Sequence, residues 1–104
     1  MVSSRQRGRQ TELRGKKQLE SEGWNVCLTD MPTKFKKSQD FFGCWDAICV
    51  KKGKFKLVQF KTNKWGDLRE CKAFKEEYFY NHDFISCEAW KWNTKKKEWS
   101  VRVL

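Results

Sequence analysis

No stretch of the 104-residue chain is long and apolar enough to span a bilayer, and Met1 to Arg9, polar and basic, contain no apolar run that could form the core of a signal peptide. A soluble, intracellular protein is the expectation. The five cysteines, Cys27, Cys44, Cys49, Cys71 and Cys87, include no C-x-x-C pair, and their odd number suits reduced thiols better than a disulfide scaffold. They read as small apolar fillers. A zinc centre using His82 and Cys87 would lack the two closely spaced ligand pairs that such centres use. Internal repeats are absent, and proline occurs once, at Pro32. Acidic residues are in short supply: 13 stand against 23 lysines and arginines, a formal charge of +10. So large an excess on a small body attracts polyanions before contact, which makes nucleic acid the leading partner and solubility the plain alternative.

The apolar content is adequate for one modest core. Residues 1–104 are read as a single domain, since a chain of this length buries only about two thirds of its unfolded surface. A hydrophobic fraction of 38%, with six tryptophans and eight phenylalanines, argues against global disorder despite 35% charged residues.

Arg5 to Glu22 is free of proline and rich in helix-tolerant Gln, Glu, Leu, Arg and Lys, with Gly23 where a helix would stop. Its apolar stripe is thin, Leu13 and Leu19, and Gly8 and Gly15 weaken it. Trp24 to Leu28 reads as a short strand, and Thr29 to Asp40, with Pro32 and three lysines, as a basic loop. Phe41 to Val50 and Phe55 to Thr62 are β-like runs around Lys51-Lys52-Gly53-Lys54, the pattern of an antiparallel hairpin with glycine supplying positive φ. Asp67 and Glu70 suggest a capping box before a helix from Leu68 to Tyr80, which carries Cys71, Phe74 and Tyr78 at helical spacing. Ile85 to Trp92 and Glu98 to Val103 complete a second hairpin. The predicted order is α-β-β-β-α-β-β.

Centring the first turn on Lys52-Gly53 pairs Val50 with Phe55, Ile48 with Leu57 and Asp46 with Gln59. Alternation then puts Asp46, Ile48, Val50, Phe55, Leu57, Gln59 and Lys61 on one face and Trp45, Ala47, Cys49, Val58 and Phe60 on the other. Both faces are largely apolar, so helices should cover the sheet on both sides. The polar trio Asp46, Gln59 and Lys61 interrupts the first face at one end of the hairpin. A carboxylate and an amide oxygen there could hold a divalent ion against a phosphate, with a lysine two residues along the strand to orient the attacking water. Trp90, Trp92 and Trp99 lie within predicted strands and read as packing residues rather than base-stacking platforms.

Phe42-Gly43-Cys44-Trp45-Asp46-Ala47-Ile48 and Leu57-Val58-Gln59-Phe60-Lys61-Thr62 together resemble the catalytic hairpin of the PD-(D/E)XK nucleases, with an aspartate on one strand and an acidic-x-lysine motif on the next. Arg7-Gly8-Arg9-Gln10-Thr11-Glu12, followed by Leu19 and Gly23, is similar to the opening helix of archaeal Holliday-junction resolvases. The resemblance implies an α/β, restriction-endonuclease-like core with a central mixed β-sheet flanked by helices. It further implies a Mg²⁺- or Mn²⁺-dependent DNA endonuclease, with Asp46, Gln59 and Glu12 as metal ligands and Lys61 beside the water. Its substrate would be branched or duplex DNA, its products would carry 5′-phosphates, and it would work as a homodimer. Tryptophan rather than proline precedes Asp46, and Gln59 replaces the usual acid, removing one negative ligand. A non-catalytic nucleic-acid-binding module that kept the fold is the alternative. Lys34, Lys36, Lys37 and Lys64 flank the trio and are candidates for holding the phosphate backbone, against the plain reading of a solvated charge run.

Overall fold

The computed structural model describes residues 4–29, 40–80 and 83–104. Helix α1, Ser4–Ser21, is followed by β1 (Asn25–Leu28), β2 (Ala47–Lys51), β3 (Lys54–Thr62), α2 (Arg69–Tyr78), β4 (Ile85–Asn93) and β5 (Glu98–Val103). This is the α-β-β-β-α-β-β order that the periodicities predict. The strands form one mixed five-stranded sheet in the order β1-β2-β3-β4-β5. Only β3 and β4 run parallel, because the connection between them crosses over through α2.

The residues that α1 buries are Thr11, Gly15 and Leu19, one per turn at four-residue spacing. Leu13, expected in the docking stripe, is instead 48% exposed. Gly15 is what lets the helix come close: a Cβ there would lie 2.2 Å from Cε1 of Phe60. The helix ends as predicted, with Gly23 at φ +94° and the Trp24 N–H returning to the Leu19 carbonyl at 3.1 Å.

On the α1 side of the sheet, Leu19 packs with Val26, Ala47, Cys49, Val58, Phe60 and Trp90. Leu57, Cys71 and Cys87 form the core on the α2 side, joined by Ile48, Phe55 and Phe74. The expected hairpin register holds over Ala47↔Val58, Ile48↔Leu57, Val50↔Phe55 and Lys51↔Lys54, with Gly53 at φ +75° in the turn. The reading of cysteines as fillers suits Cys49, Cys71 and Cys87, which are buried, and burial pushes their thiols up to about 12, 12 and 11. Trp90 and Trp92 both pack on Trp99, with ring centroids 5.4 and 5.1 Å away, as strand-packing residues should.

Three local expectations are corrected. Phe41 to Asp46 is a tight turn rather than strand: Phe41 and Trp45 exchange backbone hydrogen bonds of 2.7 and 3.0 Å across it, with Phe42 and Gly43 at positive φ. Trp45 consequently packs in the α2-side core, not on the Ala47 face where strict alternation puts it. No capping box forms either. Asp67 Oδ1 accepts the Arg69 N–H at 3.0 Å and its carboxylate pairs with the Arg69 guanidinium at 2.9 Å, a local turn that leaves Leu68 at the cap position. Finally, α2 stops at Tyr78, which is 56% exposed.

Candidate functional site

Asp46 sits where β2 begins, and the ladder changes there. Its N–H donates to the Val58 carbonyl at 2.9 Å, although Val58 already faces Ala47, so Asp46 is not the register partner of Gln59 that the hairpin pairing predicts. One extra residue opposite a single partner reverses the alternation upstream, which accounts for the position of Trp45. The carboxylate takes over a backbone role: Oδ2 accepts the N–H of Phe60 at 2.8 Å. Phe60 lies between Gln59 and Lys61, so the acid is fastened to β3 at the Q-x-K segment. The Asp46 carbonyl in turn accepts the Thr29 N–H at 3.1 Å.

Asp46 as a whole is only 9% exposed, and its carboxyl pKa is pushed up to about 7. Burial is the main cause; the Phe60 N–H opposes it, and the nearby carboxyls of Asp40 and Glu12 add to it. Glu12, half-buried on α1, is itself raised, first by burial, although the Arg9 guanidinium 3.5 Å away pulls in the other direction. Arg9 also donates to the Thr29 carbonyl at 2.8 Å, and the Thr11 and Thr62 hydroxyls share a 2.7 Å hydrogen bond. These contacts hold α1 against the ends of β1 and β3, which brings Glu12 within electrostatic reach of Asp46.

Gln59 and Lys61, two residues apart on β3, share one face of the sheet. The Gln59 Oε1 atom is buried with no hydrogen-bond partner among the described residues. Lys61 is half-buried, makes no ion pair among the described residues, and lies along Gly66. A Cβ on Gly66, whose φ is +62°, would stand 3.5 Å from the lysine Nζ. Lys61 and Asp46 both lie within electrostatic reach of the Cys71 thiol of α2.

Asp46 is thus fastened to the β3 backbone between Gln59 and Lys61 at one end of the central ribbon, with Glu12 of α1 within electrostatic reach. Lys64 is exposed just beyond β3, whereas Lys34, Lys36 and Lys37 lie outside the described residues. Asp40 and Arg9, which the sequence motifs do not single out as site residues, join this neighbourhood through their electrostatic influence on Asp46 and Glu12. An acid six residues before Asp46 was a signal for Asp40 only once the intervening segment is known to turn back. No group of three or more His, Cys, Asp and Glu among the described residues could hold a metal ion by itself, so an ion here would also need amide or solvent oxygens. No protein-family model matches the chain, and no curated protein matches it as a relative.

Proposed function

We propose that the chain is a metal-dependent DNA endonuclease of the PD-(D/E)XK type, built on a restriction-endonuclease-like version of its α/β fold. The observation that carries this reading is the fastening of the Asp46 carboxylate to the Phe60 N–H, on the β3 backbone between Gln59 and Lys61 at one end of the hairpin. The donors suit a hard divalent ion. Gln59 Oε1 is a buried oxygen lacking a partner among the described residues, and the crowding of Asp46, Asp40 and Glu12 is a concentration of negative charge that a cation would relieve. Asp46, Gln59 and Glu12 would hold Mg²⁺ or Mn²⁺, an ion that supplies charge neutralisation at the phosphate and activation of water.

Each side chain then has a task. Asp46 positions its oxygens through the Phe60 hydrogen bond, Glu12 adds negative charge from α1, and Lys61, which forms no salt bridge among the described residues although Asp67 lies within its electrostatic reach, orients the attacking water or meets charge developing on the phosphate. Within this class a junction resolvase is the preferred reading, and two symmetric cuts would require a homodimer. Purified protein with Mg²⁺ or Mn²⁺ is expected to cut DNA in a panel of four-way junction, flap, single-stranded and linear substrates. Lys61→Ala should slow the cut by about 10²-fold or more. Equal cleavage by the wild type and Asp46→Ala would refute the assignment.

One observation favours a second reading, a nucleic-acid-binding module without catalysis. Gln59 contributes no charge and the Asp46 carboxyl titrates only at about 7, both of which weaken a cation site. Titration calorimetry separates the two, since the binder takes up DNA without taking up Mg²⁺ or Mn²⁺.

A further inference from the structure

The face of the sheet that carries Gln59 and Lys61 continues across β4 and β5. Residues paired in register share a face, so the row through Gln59 runs to Ala89 and Arg102, and the row through Lys61 runs to Lys91 and Ser100. Lys61, Lys91 and Arg102 thus lie on the same side of three neighbouring strands. Trp65, in the segment between β3 and α2, covers this part of the face. Its indole receives two cations: Lys91 Nζ lies 5.0 Å from the ring centroid and the Arg102 guanidinium carbon 4.3 Å. Neither cation forms a salt bridge with a carboxylate among the described residues.

The pattern is unlike a solvated charge run. A ring quadrupole attracts a cation but cannot neutralise it, so holding two cations on one indole concentrates positive charge and leaves their donors free for an anion. Base stacking on Trp65 is disfavoured because the indole is already engaged by these groups. Elsewhere on the sheet a lysine in a comparable position is neutralised: Lys56 lies over Trp24 at 4.5 Å and also pairs with the buried Glu88 at 3.3 Å. The Trp65 pair has no such carboxylate among the described residues. An arginine and a lysine fixed side by side suit phosphate oxygens.

We propose that Lys91 and Arg102, held by Trp65, form a phosphate-binding platform that takes the DNA backbone beside the candidate site, one and two strands away from Lys61. The reading rests on the proposed DNA substrate but not on cleavage. A phosphate gripped here would lie on the path of the same backbone that reaches Gln59 and Lys61, and would set the register of the scissile bond.

The test is equilibrium binding of a labelled linear duplex and a labelled four-way junction, followed by fluorescence anisotropy in EDTA over a series of salt concentrations. Removing both cations in Lys91→Gln/Arg102→Gln should lower the steepness of log K against log salt by about two, about 0.9 for each lost contact with duplex. The charge-retaining Lys91→Arg/Arg102→Lys protein should keep the wild-type slope, which separates lost charge from disturbed packing. An unchanged slope in the glutamine variant, equal loss in both variants, or no DNA binding by the wild type would each overturn the platform. Intact binding with the predicted slopes but no cleavage under Mg²⁺ or Mn²⁺ would overturn the nuclease reading alone.

Discussion

Asp46 does two jobs that pull its ionisation in opposite directions. As an acceptor for the Phe60 N–H it is stabilised as a carboxylate, yet burial and the neighbouring Asp40 and Glu12 win and raise its pKa to about 7 from an ordinary 3.8. The folded protein consequently keeps a proton that the unfolded chain has already released between those two values. Linkage gives the sign: this contribution to stability is fully present below about 4 and is lost as the pH rises through about 7. Thermal unfolding in EDTA should show the wild type losing stability relative to Asp46→Asn as the pH is raised across that interval. The difference between the two curves isolates this residue from the other carboxyls. A difference that stays constant or changes in the opposite direction would remove burial as the dominant influence on Asp46.

The contact between α1 and the sheet depends on which glycine of the helix is changed. Gly15 is pressed against Phe60, whose ring is itself hemmed in by Trp90 and Trp99 at centroid distances of 6.3 and 5.8 Å. A methyl group there would meet three ring carbons between 2.2 and 2.8 Å away, and the ring has little room to retreat. Gly15→Ala should destabilise the fold by about 1–3 kcal/mol or more, overpacking outweighing the better helix propensity. A Cβ on Gly8 would meet no atom within 4 Å among the described residues outside its own stretch of helix. Gly8→Ala should therefore stabilise by about 0.5–1 kcal/mol through helix propensity alone. Denaturant titrations of the two variants provide the check, and shifts of the same sign would contradict this account of the α1 contact. Both glycines look alike as interruptions of a helix former, and only the partner across the interface tells them apart.

At the scale of the whole molecule the charge of +10 dominates encounters with other macromolecules. Long-range attraction raises association rates and is screened by salt, so the rate constant for joining DNA should fall by about tenfold or more between roughly 0.05 and 0.2 M salt. Stopped-flow mixing with labelled duplex measures this, and a rate indifferent to salt would mean that the charge serves solubility. The charge is not uniform in role. Lys56 is drawn inward to Glu88, a buried acid that also accepts from Ser86 and from the Trp90 indole N–H, and so it belongs to the core rather than to any polyanion surface. Lys61, Lys91 and Arg102 share a face and form no salt bridge among the described residues, whereas Lys64 is merely exposed.

Much of this was readable in the amino acids alone. Helix formers ending at Gly23, alternating runs around Lys52-Gly53 and the apolar character of both strand faces were enough for the element order, the hairpin register from Ala47 onward and a sheet covered by helices on both sides. Such signals are legible because they are set by neighbours in the chain: a turn needs its glycine, and a strand repeats every two residues. The Gln59 and Lys61 spacing belongs to the same class. Other features depend on groups distant in sequence. The out-of-register bond from Asp46 to Val58 moved Trp45 to the opposite face, Gly15 acquired its purpose from Phe60, and Trp65 came to hold cations from two different strands. Periodicity says which way a side chain points while the pattern lasts, but where the pattern breaks, and what then meets across the gap, is decided only when the packed elements compete for the same space and the same hydrogen bonds.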